Sequence, residues 1–173
     1  IHGLINNAGV TRTAMIESMT VEKWQTVVDV NLTGVFNCLQ IFGGDMLRRA
    51  RAGAGDAGAI VNISSDAGRK GPIGQINYGA AKAGVLGITM SAAREWGRFG
   101  IRVNSVCFGV VETPMTETVR GEKFRAKYLE AIPMGRFLSA EEAARSICFF
   151  VSPAAAHVTG QHLSVNGGSY MSA

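Results

Sequence analysis

The sequence predicts an α/β domain in which helices cover both faces of a parallel β-sheet. Four apolar runs, at residues 1–5, 59–63, 101–107 and 161–165, have the length and composition of buried strands. The segments between them carry apolar residues at helical spacing, and strands that alternate with helices indicate right-handed βαβ crossovers. No repeat or second domain is visible, so residues 1–173 are interpreted as a single domain.

Three longer helices are predicted between these strands. The first runs from the candidate N-cap Thr20 to about Leu47. The second covers approximately residues 78–99. The third begins at Ser139 and Glu142, which form the S-x-x-E pattern of a capping box.

The start of the chain is unusual for a folded domain. It lies inside an apolar strand, with no earlier element to pair with that strand. Native proteins avoid open strand edges because such edges promote aggregation. We therefore expect further βαβ units to precede this strand in the intact protein.

Composition argues against several classes of protein. The net charge is +4, but the basic residues near Arg48 and from 120 to 127 are not interleaved with aromatic residues in a nucleic-acid motif. They are interpreted as solvated helix ends, or alternatively as contacts for an anionic substrate or acidic partner. No apolar run reaches the roughly 18 residues that a membrane span needs. The three histidines offer no metal-ligand spacing, so we expect no nucleic acid, membrane or metal to bind.

Charge and cysteine content suggest where the protein works. Charged residues make up only 17% of the chain, against a typical share of about 25%. This predicts that part of the surface is buried against other subunits. Cys38, Cys107 and Cys148 each lie in an apolar run, which predicts buried free thiols in a reducing compartment. With no signal peptide at its start, the chain is expected to be cytoplasmic.

Three residues form a candidate catalytic group. Tyr78 and Lys82 are four residues apart, so a helix places both side chains on one face, one turn apart. Ser65 ends a predicted strand, at the sheet edge where parallel α/β domains bind ligands. An ammonium near a phenol is expected to lower the phenol pKa, and a serine hydroxyl can hydrogen-bond a carbonyl. Together they suit proton transfer to an alkoxide as hydride arrives at carbon.

Further motifs occur in a fixed order along the chain. They are N-N-A-G, V-N-L-T-G, N-I-S-S, Y-G-A-A-K-A-G, R-V-N-S-V with F-G-V-V-E-T-P, and T-G-Q-H-L-S-V-N-G-G. With them the chain resembles the short-chain dehydrogenase/reductase family, and within it the 3-oxoacyl-(acyl carrier protein) reductases. The resemblance covers essentially the whole chain. It implies the carboxy-terminal part of a doubly wound, Rossmann-like parallel-sheet domain, with the amino-terminal βαβ units and their glycine-rich T-G-x-x-x-G-x-G turn absent.

The resemblance implies a role for each matching residue. Tyr78 would be the general acid in reduction and the base in oxidation, Lys82 would lower its pKa and bind the nicotinamide ribose, and Ser65 would orient the carbonyl. Asn31 would hold a water molecule that links Lys82 to solvent, or would only satisfy helix backbone. A purely structural turn is likewise the alternative for residues 7–9. The residues implied to bind the cofactor are Asn7, Ala8, Gly9, Tyr78, Lys82, Val111 and Thr113.

These roles imply an NAD(P)-dependent carbonyl reductase or alcohol dehydrogenase, with NADP slightly favoured over NAD. The leading hypothesis is reduction of a 3-oxoacyl thioester in fatty acid biosynthesis, with acyl carrier protein as a candidate partner. Residues 112–138 would form the substrate lid, and because such loops vary freely, another ketone, a sugar or a steroid is an alternative substrate.

A different alternative is that this chain is a non-catalytic fragment or an oligomerisation scaffold, because it lacks the pyrophosphate-binding turn. In the family, the helices that carry Asn31 and Tyr78 usually pair subunits. A homodimer or homotetramer is therefore implied.

Overall fold

A computed structural model describes residues 1–55 and 57–171 of the chain. Within these residues, a parallel sheet has the strand order β1-β2-β3-β4. The strands are β1 Gly3–Asn6, β2 Ala59–Ser65, β3 Arg102–Phe108 and β4 His162–Val165. The predicted α/β class is confirmed, and each predicted strand lies within two residues of its observed bounds.

The two central strands are buried on both faces, as expected for a parallel sheet between two helix layers. On one face, Ile60 and Val103 pack in an apolar cluster with Val85 of a long helix. On the other face, Val61 and Val106 pack in a second cluster that includes a helical phenylalanine, Phe150. Because side chains pack against both faces of the sheet, the carboxyl ends of its strands are held in place.

The helical segment after β1 is interrupted twice. It consists of α1 Val21–Val28, α2 Gly34–Cys38 and α3 Gly44–Arg51, joined by π-helical turns at Asp29–Thr33 and Leu39–Gly43. The N-cap prediction is confirmed, because the Thr20 side chain accepts a hydrogen bond from the Lys23 N–H at 3.3 Å. The π-helical turns were not predicted, since each one alters the apolar spacing too little to be recognised in the sequence.

The remaining helices flank β2, β3 and β4. They are α4 Ala67–Lys70, α5 Ile76–Trp96, α6 Glu117–Arg120, α7 Glu122–Glu130 and α8 Ala140–Val151. The predicted capping box is present at the start of α8, where Ser139 and Glu142 each bond the other's backbone N–H at 3.2 Å. The Arg136 guanidinium donates twice to the Glu142 carboxylate at 2.7 Å, and these bonds lower the pKa of Glu142 to about 2.

The segment between β3 and α8 is a loop with a closed base. The Glu112 N–H donates to the Leu138 carbonyl at 2.9 Å, and the Leu138 N–H donates to the Val110 carbonyl at 3.1 Å. Two short helices, α6 and α7, lie between these bonds. The loop is therefore anchored at both ends beside the carboxyl end of β3.

Two features of the protein surface bear on expectations drawn from the composition. Cys148 is exposed, so the prediction of a buried thiol is wrong there, because this residue lies on the outer face of α8. Arg48 and Arg49 form ion pairs with Asp45 one turn earlier, which agrees with solvated helix ends. Among the described residues, none of the helices has the length and apolar character needed to cross a membrane.

Candidate active site

The carboxyl ends of β1, β2 and β3 open into a cleft of about 730 Å³. Parallel strands end at one edge of a sheet, so residues that are distant in sequence converge there. Except for Asn31, every predicted site residue lines this cleft: Asn7, Ala8, Gly9, Ser65, Tyr78, Lys82, Val111 and Thr113.

The phenol, the ammonium and the serine hydroxyl meet in the cleft. Lys82 Nζ lies 5.7 Å from the centroid of the Tyr78 ring, one turn away on α5. The Lys82 ammonium donates to the Ile63 carbonyl oxygen at 2.8 Å, and the residue is only 3% exposed. Ser65 Oγ accepts the Ala67 N–H at 3.1 Å and donates to the Phe108 carbonyl at 3.4 Å. The arrangement can hold a carbonyl oxygen between a proton donor and a hydroxyl.

Burial shifts the pKa of both ionisable groups. Burial raises the pKa of Tyr78, and the nearby Ser65 hydroxyl lowers it by less. Burial also lowers the pKa of Lys82 to about 8, partly opposed by Cys107. The net shift of the Tyr78 pKa is therefore upwards, opposite to the expected direction. Removal of the phenol from water dominates, and the ammonium gives its hydrogen bond to the backbone.

Asn31 lies behind the cleft in the π-helical turn between α1 and α2 and is fully buried. Its Nδ2 donates to the carbonyls of Val10 and Val27, both at 2.9 Å. Its Oδ1 has no hydrogen-bond partner in the described part of the chain. This Oδ1 and Lys82 Nζ lie 2.8 and 3.7 Å from the point that a Cβ at Gly9 would occupy. A buried acceptor of this kind normally binds ordered water, as the proton-relay hypothesis requires.

The cleft walls leave room for a flat group. Ala8 and Gly9 leave one wall open, and a side chain at Gly9 would collide with the buried Asn31 amide at 2.8 Å. Val111 on the opposite wall is fixed by its bridge to Leu138 at the loop base. Small residues on one side and a fixed backbone on the other give a flat group space to enter.

Sequence reasoning missed the apolar end of the cleft. Met115 in the loop and Ala143, Ala144 and Ile147 on α8 line it together with the polar residues. The only signal available was the amphipathic pattern of α8, which does not distinguish a core-facing side chain from a cleft-facing one. These residues give the substrate side of the site an apolar surface.

Gly68 permits the close approach that places α4 against α5. A Cβ there would lie 2.6 Å from the backbone nitrogen of Ala83 and 2.6 Å from the carbonyl carbon of Lys82. We expect Gly68→Ala to lower the free energy of unfolding by about 2 kcal/mol, because backbone atoms must move apart. Chemical denaturation measures this change. Gly87→Ala is the matched control on α5, since nothing lies within 4 Å of its Cβ position. An unchanged denaturation midpoint for Gly68→Ala would contradict the close approach.

Comparison with known proteins decides the family. Residues 1–170 match the family described as enoyl-(acyl carrier protein) reductase. The chain is also 44% identical over 168 residues to the 3-oxoacyl-(acyl-carrier-protein) reductase FabG of Staphylococcus aureus. The chain belongs to the short-chain dehydrogenase/reductase family. The resemblance inferred from the ordered motifs is thereby confirmed.

Other relatives extend this short-chain dehydrogenase/reductase assignment. The acetoacetyl-CoA reductase of Rhizobium meliloti is 44% identical over 167 residues, which cover 96% of this chain and 67% of that protein. An Agrobacterium tumefaciens protein provisionally assigned as a 2-deoxy-d-gluconate 3-dehydrogenase, with bound NADP, has a TM-score of 0.91 at 38% identity. That alignment covers 97% of this chain and 67% of the other, and it confirms the Rossmann-like fold. The match to Staphylococcus aureus FabG covers 97% of this chain but only 65% of FabG.

Proposed function

We propose that the protein is an NAD(P)H-dependent carbonyl reductase that acts on a 3-oxoacyl thioester. The observation that carries this proposal is the convergence of Tyr78, Lys82 and Ser65 in one cleft. Two relatives support the substrate class, because FabG and acetoacetyl-CoA reductase are both named for reduction of a 3-oxoacyl group. The apolar end of the cleft suits an acyl chain.

The geometry of the cleft supports the following proton steps. Ser65 would hold the substrate carbonyl oxygen, and Tyr78 would donate its phenolic proton to that oxygen as an alkoxide forms. The raised pKa of Tyr78 suits this direction, because it keeps the phenol protonated at neutral pH. Lys82, linked to solvent by a water molecule held at Asn31, would then return a proton to the phenol.

A nicotinamide cofactor, when bound, supplies the hydride. Lys82 and residues 7–9 would hold its ribose groups, while Val111 and Thr113 would bind the carboxamide. NADP is favoured over NAD because the Agrobacterium tumefaciens relative carries bound NADP.

The test uses the protein encoded by the complete gene, with acetoacetyl-CoA and either NADPH or NADH. We expect thioester-dependent loss of reduced-cofactor absorbance, faster with acetoacetyl-CoA than with cyclic ketones, sugars or steroids. If none of these substrates causes oxidation of NADPH or NADH, the proposed reductase function is refuted. Equal turnover of thioesters and simple ketones would refute the thioester assignment.

A second proposed function is that of an oligomerisation scaffold, in which copies pair through the helices that follow β1 and through α5. The observation that favours it is a set of exposed apolar side chains on these helices, including Phe36, Ile41 and Met90. The mass of the protein in solution tests the idea. A monomer would refute it.

A further inference from the structure

Asn77 is fully buried, immediately before Tyr78 in α5, and is not one of the residues that line the cleft. Its Nδ2 donates to the Arg12 carbonyl at 2.9 Å and to the Lys23 carbonyl at 3.1 Å. Its Oδ1 accepts the Tyr78 N–H at 2.8 Å. One side-chain amide therefore joins three segments: the loop after β1, helix α1 and the first turn of α5.

The bond to Tyr78 satisfies a backbone group that the helix leaves open. The first N–H groups of an α-helix have no carbonyl one turn earlier to accept their hydrogen bonds. Gln75, at the N-cap position of α5, forms no side-chain capping hydrogen bond. Asn77 Oδ1 thus performs part of the capping role, and it does so at the residue whose phenol faces Ser65. Any shift of this turn moves that phenol.

Asn31 makes the same kind of bridge one turn further along α1. Its Nδ2 joins the Val10 carbonyl of the loop to the Val27 carbonyl of the helix, each at 2.9 Å. These carbonyls lie two residues before and four residues after the ones that Asn77 contacts. Two buried amides therefore clamp one loop against one helix. The same loop contributes residues 7–9 to the cleft wall.

We propose that Asn77 is a positioning residue of the active site, which holds Tyr78 and the cofactor-binding loop in register by bonding to both at once. The kinetic consequences of this inference rest on the proposed reductase function, whereas its structural consequences do not. Asn77 acts through the backbones of Tyr78 and Arg12 and touches no reacting atom.

The test compares Asn77→Ala and Asn77→Asp with a matched control in the protein encoded by the complete gene. The control is Asn104→Ala. Asn104 is also buried, and it bridges the Val158 carbonyl at 2.8 Å and the Gln161 N–H at 3.0 Å. It lies near the amino end of β3, at the sheet edge opposite the cleft. Its loss therefore removes a comparable set of hydrogen bonds without touching the site.

We expect Asn77→Ala to lower kcat by about 10- to 100-fold, because small misplacements of a reacting group have effects of this size. Asn77→Asp keeps an acceptor for the Tyr78 N–H but loses both donors to the loop and α1. It should therefore raise the KM for NADPH more than it lowers kcat. Asn104→Ala should leave kcat unchanged. A folded Asn77→Ala protein with wild-type kcat, or an equal kcat loss in Asn104→Ala, would overturn the proposal.

Titration of the Tyr78 phenol is a second readout that needs no substrate. Tyrosinate absorbance is followed as pH rises, and the difference between each protein and its Tyr78→Phe derivative gives the pKa of Tyr78. The charged group against this phenol is the Lys82 ammonium, 5.7 Å from the ring centroid. A loosened turn admits water, so the raised pKa should fall towards the ordinary tyrosine value in Asn77→Ala and stay unchanged in Asn104→Ala.

The two readouts separate failure of this inference from failure of the proposed function. A Tyr78 shift in Asn77→Ala, with no reductase activity in the wild type, would refute the reductase and support the positioning role. An unshifted Tyr78 would overturn the positioning role whatever the activity. Should Asn77→Ala fail to fold, Asn77→Asp is compared with Asn104→Ala by the same titration.

Discussion

Tyr78→Phe is expected to lower kcat for thioester reduction by about 1,000-fold, because the proposed proton donor is lost while the ring remains. The phenylalanine ring fills the same space on α5, so Lys82 keeps its hydrogen bond to the Ile63 carbonyl. Affinity for NADPH should change little. Steady-state kinetics give kcat, and fluorescence titration gives the dissociation constant of NADPH.

The control for this substitution is Tyr170→Phe. Tyr170 lies beside Arg69 and Lys70 near the end of the chain and does not line the cleft. Removal of its hydroxyl should leave kcat unchanged. Retention of most activity in Tyr78→Phe would show that another group donates the proton, and the assignment of Tyr78 would be wrong.

Lys82→Met is expected to lower kcat and to stabilise the fold. Burial lowers the pKa of this lysine from 10.5 to about 8, so the folded state carries its ammonium at a cost at neutral pH. Methionine has a similar length and no charge. Allowing for the lost bond to the Ile63 carbonyl, we expect the free energy of unfolding to rise by about 2 kcal/mol at neutral pH. We expect kcat to fall by about 100-fold. Chemical denaturation and steady-state kinetics measure the two effects.

The stability difference should depend on pH in one direction. The folded protein loses the Lys82 proton near pH 8, and the unfolded chain loses it near pH 10.5. Between these values the unfolded chain holds more protons, so wild-type stability rises with pH relative to Lys82→Met. The advantage of the variant is therefore largest below pH 8 and disappears towards pH 10.5. The control is Lys23→Met, which removes an exposed lysine side chain on α1. A difference in the free energy of unfolding between wild type and Lys82→Met that does not change with pH would contradict this expectation.

Local signals predicted most of the fold. The strands were visible because runs such as residues 59–63 are apolar at every position, as strands buried on both faces must be. The start of α8 was visible because Ser139 and Glu142 satisfy each other's backbone N–H groups within one turn. The motifs around Ser65 and Tyr78 placed both residues in one cleft, since parallel strands and the helices that follow them share an edge.

Features that depend on distant contacts could not be predicted. Asn77 bonds to carbonyls 65 and 54 residues earlier in the chain, and no spacing rule connects these positions. The direction of the Tyr78 pKa shift depends on whether burial or the nearby ammonium dominates. A four-residue spacing indicates that the two groups are close but does not show how much water reaches the phenol.

The closed base of the loop after β3 has an evolutionary consequence. Backbone hydrogen bonds of Glu112, Leu138 and Val110 close the base of this loop. The residues between them can therefore change in sequence and length while the base stays in place. Substitutions, insertions or whole replacements there leave the anchoring strand untouched, and lengthening a loop raises its closure entropy only slowly. Under the proposed function, selection could therefore change which substrate this loop admits while Ser65, Tyr78 and Lys82 keep their positions.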